Sequence, residues 1–256
     1  MLEVTDLRKR YRQTKAVDGI SFRLEPGEIV GLVGPNGAGK STTLKILSGL
    51  IRDYEGAVHH KGRDLTGLRE MATYRNAIGY LPENAEISDY LSGHEFLSLV
   101  GALHRLSPER IERRIDTLCR GLKVDHALHF SVSSYSKGMK QKILVTATLL
   151  HNPQILLLDE PFSGLDFTSI DLLKTLLRRL AGQGKTILYS SHIIESIEDL
   201  CRRVLVINKG KLVLDDRFDN LKEKMNKRWF EEIFSRQESR EEISRSAGEM
   251  IDVLGC

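Results

Sequence analysis

The stretch Gly34-Pro35-Asn36-Gly37-Ala38-Gly39-Lys40-Ser41 has the spacing G-x-x-x-x-G-K-S. A loop of this composition lets successive backbone N–H groups curl around a polyphosphate. Its lysine then reaches the terminal phosphates and its hydroxyl ligates Mg²⁺. Gly34, Gly37 and Gly39 are expected to supply positive φ angles and the close backbone approach that a Cβ would block. Glu28 to Val33 reads as a short buried strand, and Ser41 to Leu50 carries Leu44, Leu47 and Leu50 at helical spacing. The loop therefore joins a strand to a helix whose N-terminus aims partial positive charge at the anion. This context implies a site for a nucleoside triphosphate.

A phosphate loop alone leaves kinases, GTPases, helicases and transport motors open. The run Ile155-Leu156-Leu157-Leu158-Asp159-Glu160-Pro161 is an apolar strand ending in two acids. A buried strand would set Asp159 beside the phosphate loop, where it holds Mg²⁺ directly or through water. Glu160 would then orient and deprotonate an attacking water. The segment Ser131 to Lys142 is a polar, glycine-containing turn opening a basic helix, a second candidate anion site. Two anion sites in one chain suggest a nucleotide sandwiched between subunits.

These residues need elements to hold them. Strand-like runs broken by turns fill residues 2 to 33, and another strand is expected near Gly56 to His60. Beyond Leu81-Pro82 the pattern turns helical, with Phe96, Leu99, Val100 and Leu103 expected on one buried face. Ser107-Pro108 opens a second helix with the stripe Ile111, Ile115, Leu118, Cys119 and Leu122. A third helix runs from about Ser136 to His151. Alternation then resumes: strand Ile155 to Leu158, helix Ile170 to Leu180, strand Thr186 to Ser190, helix Ile194 to Leu200, strands Val204 to Ile207 and Leu212 to Leu214. An α/β core thus carries a helical insertion at residues 84–152. In the charged tail, Leu221, Met225, Trp229 and Ile233 step by four, as do Phe230 and Phe234. Ile243, Ala247, Met250, Ile251 and Leu254 form a second stripe. The tail is either solvated or a helical extension at residues 221–256 that docks on its own core, a twin subunit or a partner.

Composition bounds the class. At 256 residues the chain fits one large domain or two small ones, and 41% hydrophobic beside 29% charged residues is ordinary for a globular protein. A net charge of +3 is too small to argue for nucleic acid. No apolar run has the length of a membrane helix, and the first residues do not read as a signal segment. Three widely spaced cysteines fit reduced thiols in a cytosolic compartment. His59 and His60 are neighbours in an expected strand, so they point to opposite faces and do not chelate together.

Taken in order, these motifs resemble the ATP-binding subunit of an ABC transporter over residues 2–220. The resemblance implies an α/β, P-loop NTPase core of RecA-like type, with an N-terminal antiparallel β subdomain and an inserted α-helical subdomain. It implies that Tyr11 stacks on adenine with Val17 as a second contact, and that Gly34 to Thr42 form the phosphate loop. Tyr135-Ser136-Lys137-Gly138-Met139 resembles the family signature, in which Ser136 and the Gly138 backbone address the γ-phosphate. Asp159 and Glu160 match the magnesium and catalytic acids. Ser163-Gly164-Leu165-Asp166 looks like the loop that crosses the dimer interface, and His192 matches the switch histidine at the γ-phosphate. Two departures stand out. Lys137 and Met139 replace the usual glycine and glutamine, as in an exporter-type subset that works with separately encoded permeases. Glu83 replaces the usual glutamine that ligates magnesium and senses the permease. The resemblance implies ATP and Mg²⁺, a second ATP-binding subunit (identical or related), and a transmembrane permease that keeps the chain peripheral on the inner membrane face. An ABC-type ATPase serving nucleic acid or ribosomes is the alternative; no nucleic acid is expected, since paired cassettes and long coiled coils are missing from the pattern. A phosphate-loop kinase would leave Asp166, His192 and the signature turn unexplained.

Overall fold

The computed structural model describes residues 1–85, 87–192 and 195–220. The expected tail stripes lie outside these residues.

Two sheets organise the chain. The first contains β1 (Leu2–Tyr11), β2 (Thr14–Leu24), β4 (Glu55–His60) and β5 (Arg63–Asp64), all pairing antiparallel in the order β2-β1-β4-β5. The second contains β3 (Ile29–Val33), β6 (Ile78–Leu81), β7 (Ile155–Asp159), β8 (Thr186–Ser191), β9 (Arg203–Asn208) and β10 (Lys211–Arg217). Its order is β10-β9-β3-β8-β7-β6, parallel throughout except for the β9–β10 hairpin. Strands β7 and β8 are buried at every position, as the near-continuous apolar run Ile155 to Leu158 requires of a parallel strand covered on both faces.

Period-two alternation divides the core. Ile155, Leu157, Leu188 and Leu205 pack with the antiparallel sheet and with α1 (Lys40–Leu47) and α2 (Leu68–Arg75). Leu156, Leu158, Ile187, Tyr189 and Val204 pack on the other face with α3 (Gly93–Leu103), α4 (Pro108–Gly121), α5 (Lys137–Leu150) and α6 (Phe167–Gly182). The fold is a P-loop NTPase core with an antiparallel β layer and a helical face. Helices α3 to α5 stand between β6 and β7 in the chain, and the short α7 (Glu195–Glu198) follows β8.

Several sequence expectations shift. Helix α1 stops at Leu47 because the turn through Gly49 closes it, with the Leu50 N–H donating to the Lys45 carbonyl at 3.0 Å, and Leu50 stands exposed. Strand β6 and helix α2 were not read from the sequence; Gly79 weakens the strand pattern of Ile78–Leu81. The buried face of α3 is rotated from the expected one: Phe96 and Val100 of the expected stripe pack partly buried against the core. Leu97 is fully buried, whereas Leu99 and Leu103 are 51% and 73% exposed. A capping box between Ser92 and Glu95 sets where the helix starts. Gly101 then lets α3 approach α4 so closely that a Cβ would lie 2.6 Å from the Ile111 side chain, turning Leu97 inward with it. A glycine is silent in an apolar pattern, so this packing face was invisible. Helix α4 follows expectation, burying Ile111, Ile115 and Cys119 behind Pro108 in its first turn.

Leu97→Ala is expected to cost about 2–5 kcal/mol of stability, while Leu103→Ala should stay within about 0.5 kcal/mol. Urea denaturation of both variants checks the rotated face.

Candidate functional site

The carboxyl ends of β6, β3, β7 and β8 carry the candidate residues, at the edge of a parallel sheet where ligands bind. Strand β3 runs parallel to β9 and delivers Gly34 directly against it. A Cβ on Gly34 would lie 2.1 Å from the Ile207 carbonyl oxygen, and one on Gly39 would lie 2.2 Å from that of Ala16. Positive φ is found at Gly37 (+79°) and Gly39 (+111°) but not at Gly34, which is needed for its closeness to β9 alone. The Gly210 N–H donates to the Ala38 carbonyl at 2.9 Å, and the Asp18 N–H donates to the Gly210 carbonyl at 2.8 Å. The β9–β10 turn thus braces the loop from behind and ties it to β2.

Gly39 is the N-cap of α1 and no side chain caps that helix, so its first N–H groups face the cavity side without a side-chain acceptor. Lys40 is buried, and its ammonium donates to the Gly34 and Pro35 carbonyls at 2.7 and 3.2 Å. Burial pulls its pKa below the ordinary ammonium value, opposed by the nearby carboxylates of Glu160, Asp159 and Glu83. The cavity in front of the loop measures about 440 Å³ and is lined by Tyr11, Ala16, Asn36, Gly37, Ala38, Gly39, Lys40, Ser41, Thr42, Glu83, Asp159 and Glu160. Tyr11 closes one end half exposed, with the Lys9 ammonium 5.3 Å from its ring centre.

The two acids are held differently. Asp159 is 2% exposed and accepts a hydrogen bond from the hydroxyl of Ser190, its register partner on β8. Glu160 sits one residue past β7 at φ +49°, a left-handed conformation that costs a non-glycine residue about 1–3 kcal/mol. Its N–H reaches the Ser190 carbonyl and hydroxyl oxygens, each at 3.3 Å. Its carboxylate accepts from the His192 N–H at 2.9 Å and from His192 Nδ1 at 2.7 Å. The backbone strain keeps the Glu160 side chain at the cavity wall and within reach of His192. Downstream, the buried Gln141 amide of α5 donates to the Pro161 carbonyl at 3.0 Å, securing the turn from the other side.

Not every sequence candidate reaches this cavity. Gly34 and Pro35 lie behind it as the carbonyl seat of Lys40, and His192 meets it through Glu160. Val17 is 2% exposed in the core, and its neighbour Ala16, left without a β1 partner by the register shift between the Lys9–Val17 and Arg10–Lys15 pairs, lines the wall instead. Ser136, Gly138 and Asp166 form a separate surface. Ser136 caps α5, its hydroxyl oxygen accepting from the Met139 N–H at 3.2 Å. Gly138 packs against the Gly164 carbonyl, and the Lys142 ammonium stands 3.6 Å from Asp166. Asp166 caps α6, and the hydroxyl and N–H of Ser169 hold its carboxyl down to about 2. Ser190, Gln141 and Ala16 were missed by sequence reasoning. No sequence signal marked them: Gln141 stands between two lysines, and Ser190 is one of a pair of serines at a strand end.

Residues 17–163 match the family model for ABC transporters. The chain belongs to the ABC transporter family. The cassette is 38% identical over 224 residues to an uncharacterised ABC transporter ATP-binding protein of Methanocaldococcus jannaschii, covering 88% of this chain and 80% of that one. It is 34% identical over 221 residues to a daunorubicin resistance ATP-binding protein of Streptomyces coeruleorubidus, covering 86% and 69%. A solved ATP-binding subunit of an ABC transporter superimposes with a TM-score of 0.80 at 33% identity, covering 88% and 92%. The cassette is accordingly an ATP-binding ATPase.

Gly34→Ala should push the loop off β9 and weaken ATP binding on the order of tenfold to a hundredfold, since displacements near 1 Å carry such costs. Gly121→Ala, whose Cβ would meet nothing within 4 Å, should leave affinity unchanged. Titration with a fluorescent ATP analogue compares the two.

Proposed function

We propose that this cassette is the motor subunit of an exporter, hydrolysing Mg-ATP between two ATP-binding subunits to drive a separate transmembrane permease. One observation carries the reading. The cavity unites Lys40, Ser41, Asp159 and Glu160, while Ser136, Gly138 and Asp166 lie together on a different surface of the same chain. A second subunit facing head to tail would bring its signature turn to this cavity, so each nucleotide would be held by two chains.

Within one cassette, Tyr11 would stack on the adenine, and the loop N–H groups with Lys40 would grip the terminal phosphates. Ser41, Asp159 and Glu83 line one cavity and offer only oxygen, which suits Mg²⁺. Among the described residues no group of three or more His, Cys, Asp or Glu side chains could hold a metal alone, and Mg²⁺ in such sites relies also on phosphate oxygens and water. The ion would neutralise charge on the phosphates when bound. Ser190 would orient Asp159 through its hydroxyl. Glu160 would take the proton of the attacking water, with His192 holding the carboxylate in line. The hydroxyl of Ser136 accepts one hydrogen bond within its own chain and keeps its O–H to donate to the partner's nucleotide. ATP binding would close the pair and product release would open it.

The exporter reading is supported by Lys137 and Met139 in the signature turn and by the similarity to a daunorubicin resistance protein. The permease would dock near Glu83 and helices α3 to α5, keeping the chain on the inner face of the membrane. No observation favours a nucleic-acid or ribosomal role.

Glu160→Gln should retain ATP binding and lower the hydrolysis rate roughly 10²–10⁴-fold, the worth of a positioned general base. An ATP-dependent dimer should appear on gel filtration, and wild-type turnover would move the base elsewhere. Glu83→Gln should hydrolyse ATP at least as fast as the wild type. Glu83→Ala should bind ATP but lose stimulation by the co-purified permease, as read by a phosphate-release assay.

A further inference from the structure

A cavity of about 350 Å³ lies between α4, the C-terminal end of α5 and α6, and shares no lining residue with the nucleotide cavity. Helical spacing brings Arg113, Arg114, Thr117 and Leu118 of α4 to it on one face. Leu149 of α5 and Leu176 and Leu180 of α6 add to the apolar lining. These four leucines are only partly buried, packing on the core while keeping a side open to the cavity. Lys185, between α6 and β8, completes the wall. The volume falls within the ~300–1,000 Å³ of small-molecule pockets.

Buried charges are ordinarily paired with an opposite charge. Lys185 is buried, yet among the described residues its ammonium donates only to the backbone carbonyls of Pro153 and Asn152, the latter at 3.4 Å. Arg114 donates to the Leu150 carbonyl at 2.6 Å. Among the described residues Arg113, Arg114 and Lys185 form no ion pair, and the α4 acids Glu112 and Asp116 are taken by His94 and Arg120. Burial and then repulsion by Arg110 and Arg113 lower the Arg114 pKa, and burial and then Arg114 lower that of Lys185. Burial and His104, joined by the same two cations, push the neighbouring His151 down to about 4. Three cations thus meet at an apolar cavity without an anion among them. We propose that this cavity binds a single-chain amphiphilic carboxylate, its head between Arg114 and Lys185 and its chain along Leu149, Leu176 and Leu180. The ligand would join the inserted helices to α6 of the core.

Calorimetric titration of the full-length protein with monomeric decanoate, decan-1-ol and inorganic phosphate tests this. Decanoate should bind at least about tenfold more tightly than decanol, the scale of a hydrogen bond to a charged group, and more tightly than phosphate. Arg114→Met and Lys185→Met keep much of the apolar stem and remove the charge. Each should weaken decanoate about tenfold and leave decanol unchanged, whereas Leu180→Gln should weaken both. Fluorescent-ATP titration at wild-type affinity shows that each variant is folded, and the comparison of decanoate with decanol in the wild type needs no variant. Equal affinity for decanoate and decanol overturns the proposal, as does unchanged decanoate affinity in both charge variants. Phosphate binding as tightly as decanoate overturns it in favour of a bare anion site. Absence of decanoate binding overturns it as well, and capture by phosphatidylglycerol vesicles would then assign the cations to a membrane headgroup.

Discussion

The tightest constraint in this molecule is the fit of the phosphate loop between two backbone carbonyls, those of Ile207 and Ala16. Gly34 and Gly39 approach them so closely that a methyl group at either position would overlap an oxygen. The carbonyls belong to different sheets, β9 in one and β2 in the other. The loop is therefore the pin that holds the antiparallel layer to the parallel one. The Gly210 turn adds hydrogen bonds to both Ala38 and Asp18, so the pin is fastened on three sides. Rigidity here has a chemical purpose. A loop of N–H groups binds an anion well only when its dipoles are already aligned, since alignment on binding would be lost from the affinity.

The parallel sheet converts chain order into proximity. Strands β6, β7, β8 and β3 are neighbours and end at the same edge, so Glu83, Asp159, Glu160, His192 and the loop converge although they are scattered through the chain. Register does the finer work. Asp159 stands opposite Ser190, whose hydroxyl holds the aspartate while its carbonyl receives the Glu160 N–H. One serine thereby positions both acids. The left-handed turn at Glu160 carries a backbone cost that the hydrogen bonds from His192 help to offset.

Helix α5 connects two functions that lie apart. Its N-cap is Ser136 of the signature turn, and one turn later Gln141 secures Pro161 immediately after Glu160. Lys142 on the same helix stands beside Asp166. A displacement of this helix would move the Ser136 turn and the turn after Glu160 together. In the proposed two-subunit arrangement, linkage of that kind would let contacts at the nucleotide of one subunit be felt in the other.

The amino-acid sequence alone determined the phosphate loop, the acid-terminated strand and the capped helices, because each is a local pattern whose chemistry lies within a few residues. Ser136 and Pro108 announce their helix starts by residue type, and Ile155 to Leu158 announce a buried strand by apolarity, whereas α6 begins at Phe167 behind its Asp166 cap, three residues before the expected Ile170. It also ordered the motifs well enough to expect the family. Only the tertiary structure decided which of these residues share a cavity. Val17 and Ala16 differ by one position; Val17 pairs with Lys9 of β1 while Ala16 falls at the register shift beside it and lines the cavity. The buried face of α3 depended on a glycine contact with α4 that no apolar periodicity encodes. Ser190 took its role from its register with β7, far away in the chain. The separation of Ser136 and Asp166 from the loop followed from which sheet edge and helix end each occupies. Local chemistry is written in neighbouring side chains, whereas register, approach and facing arise between segments that meet only when the chain folds.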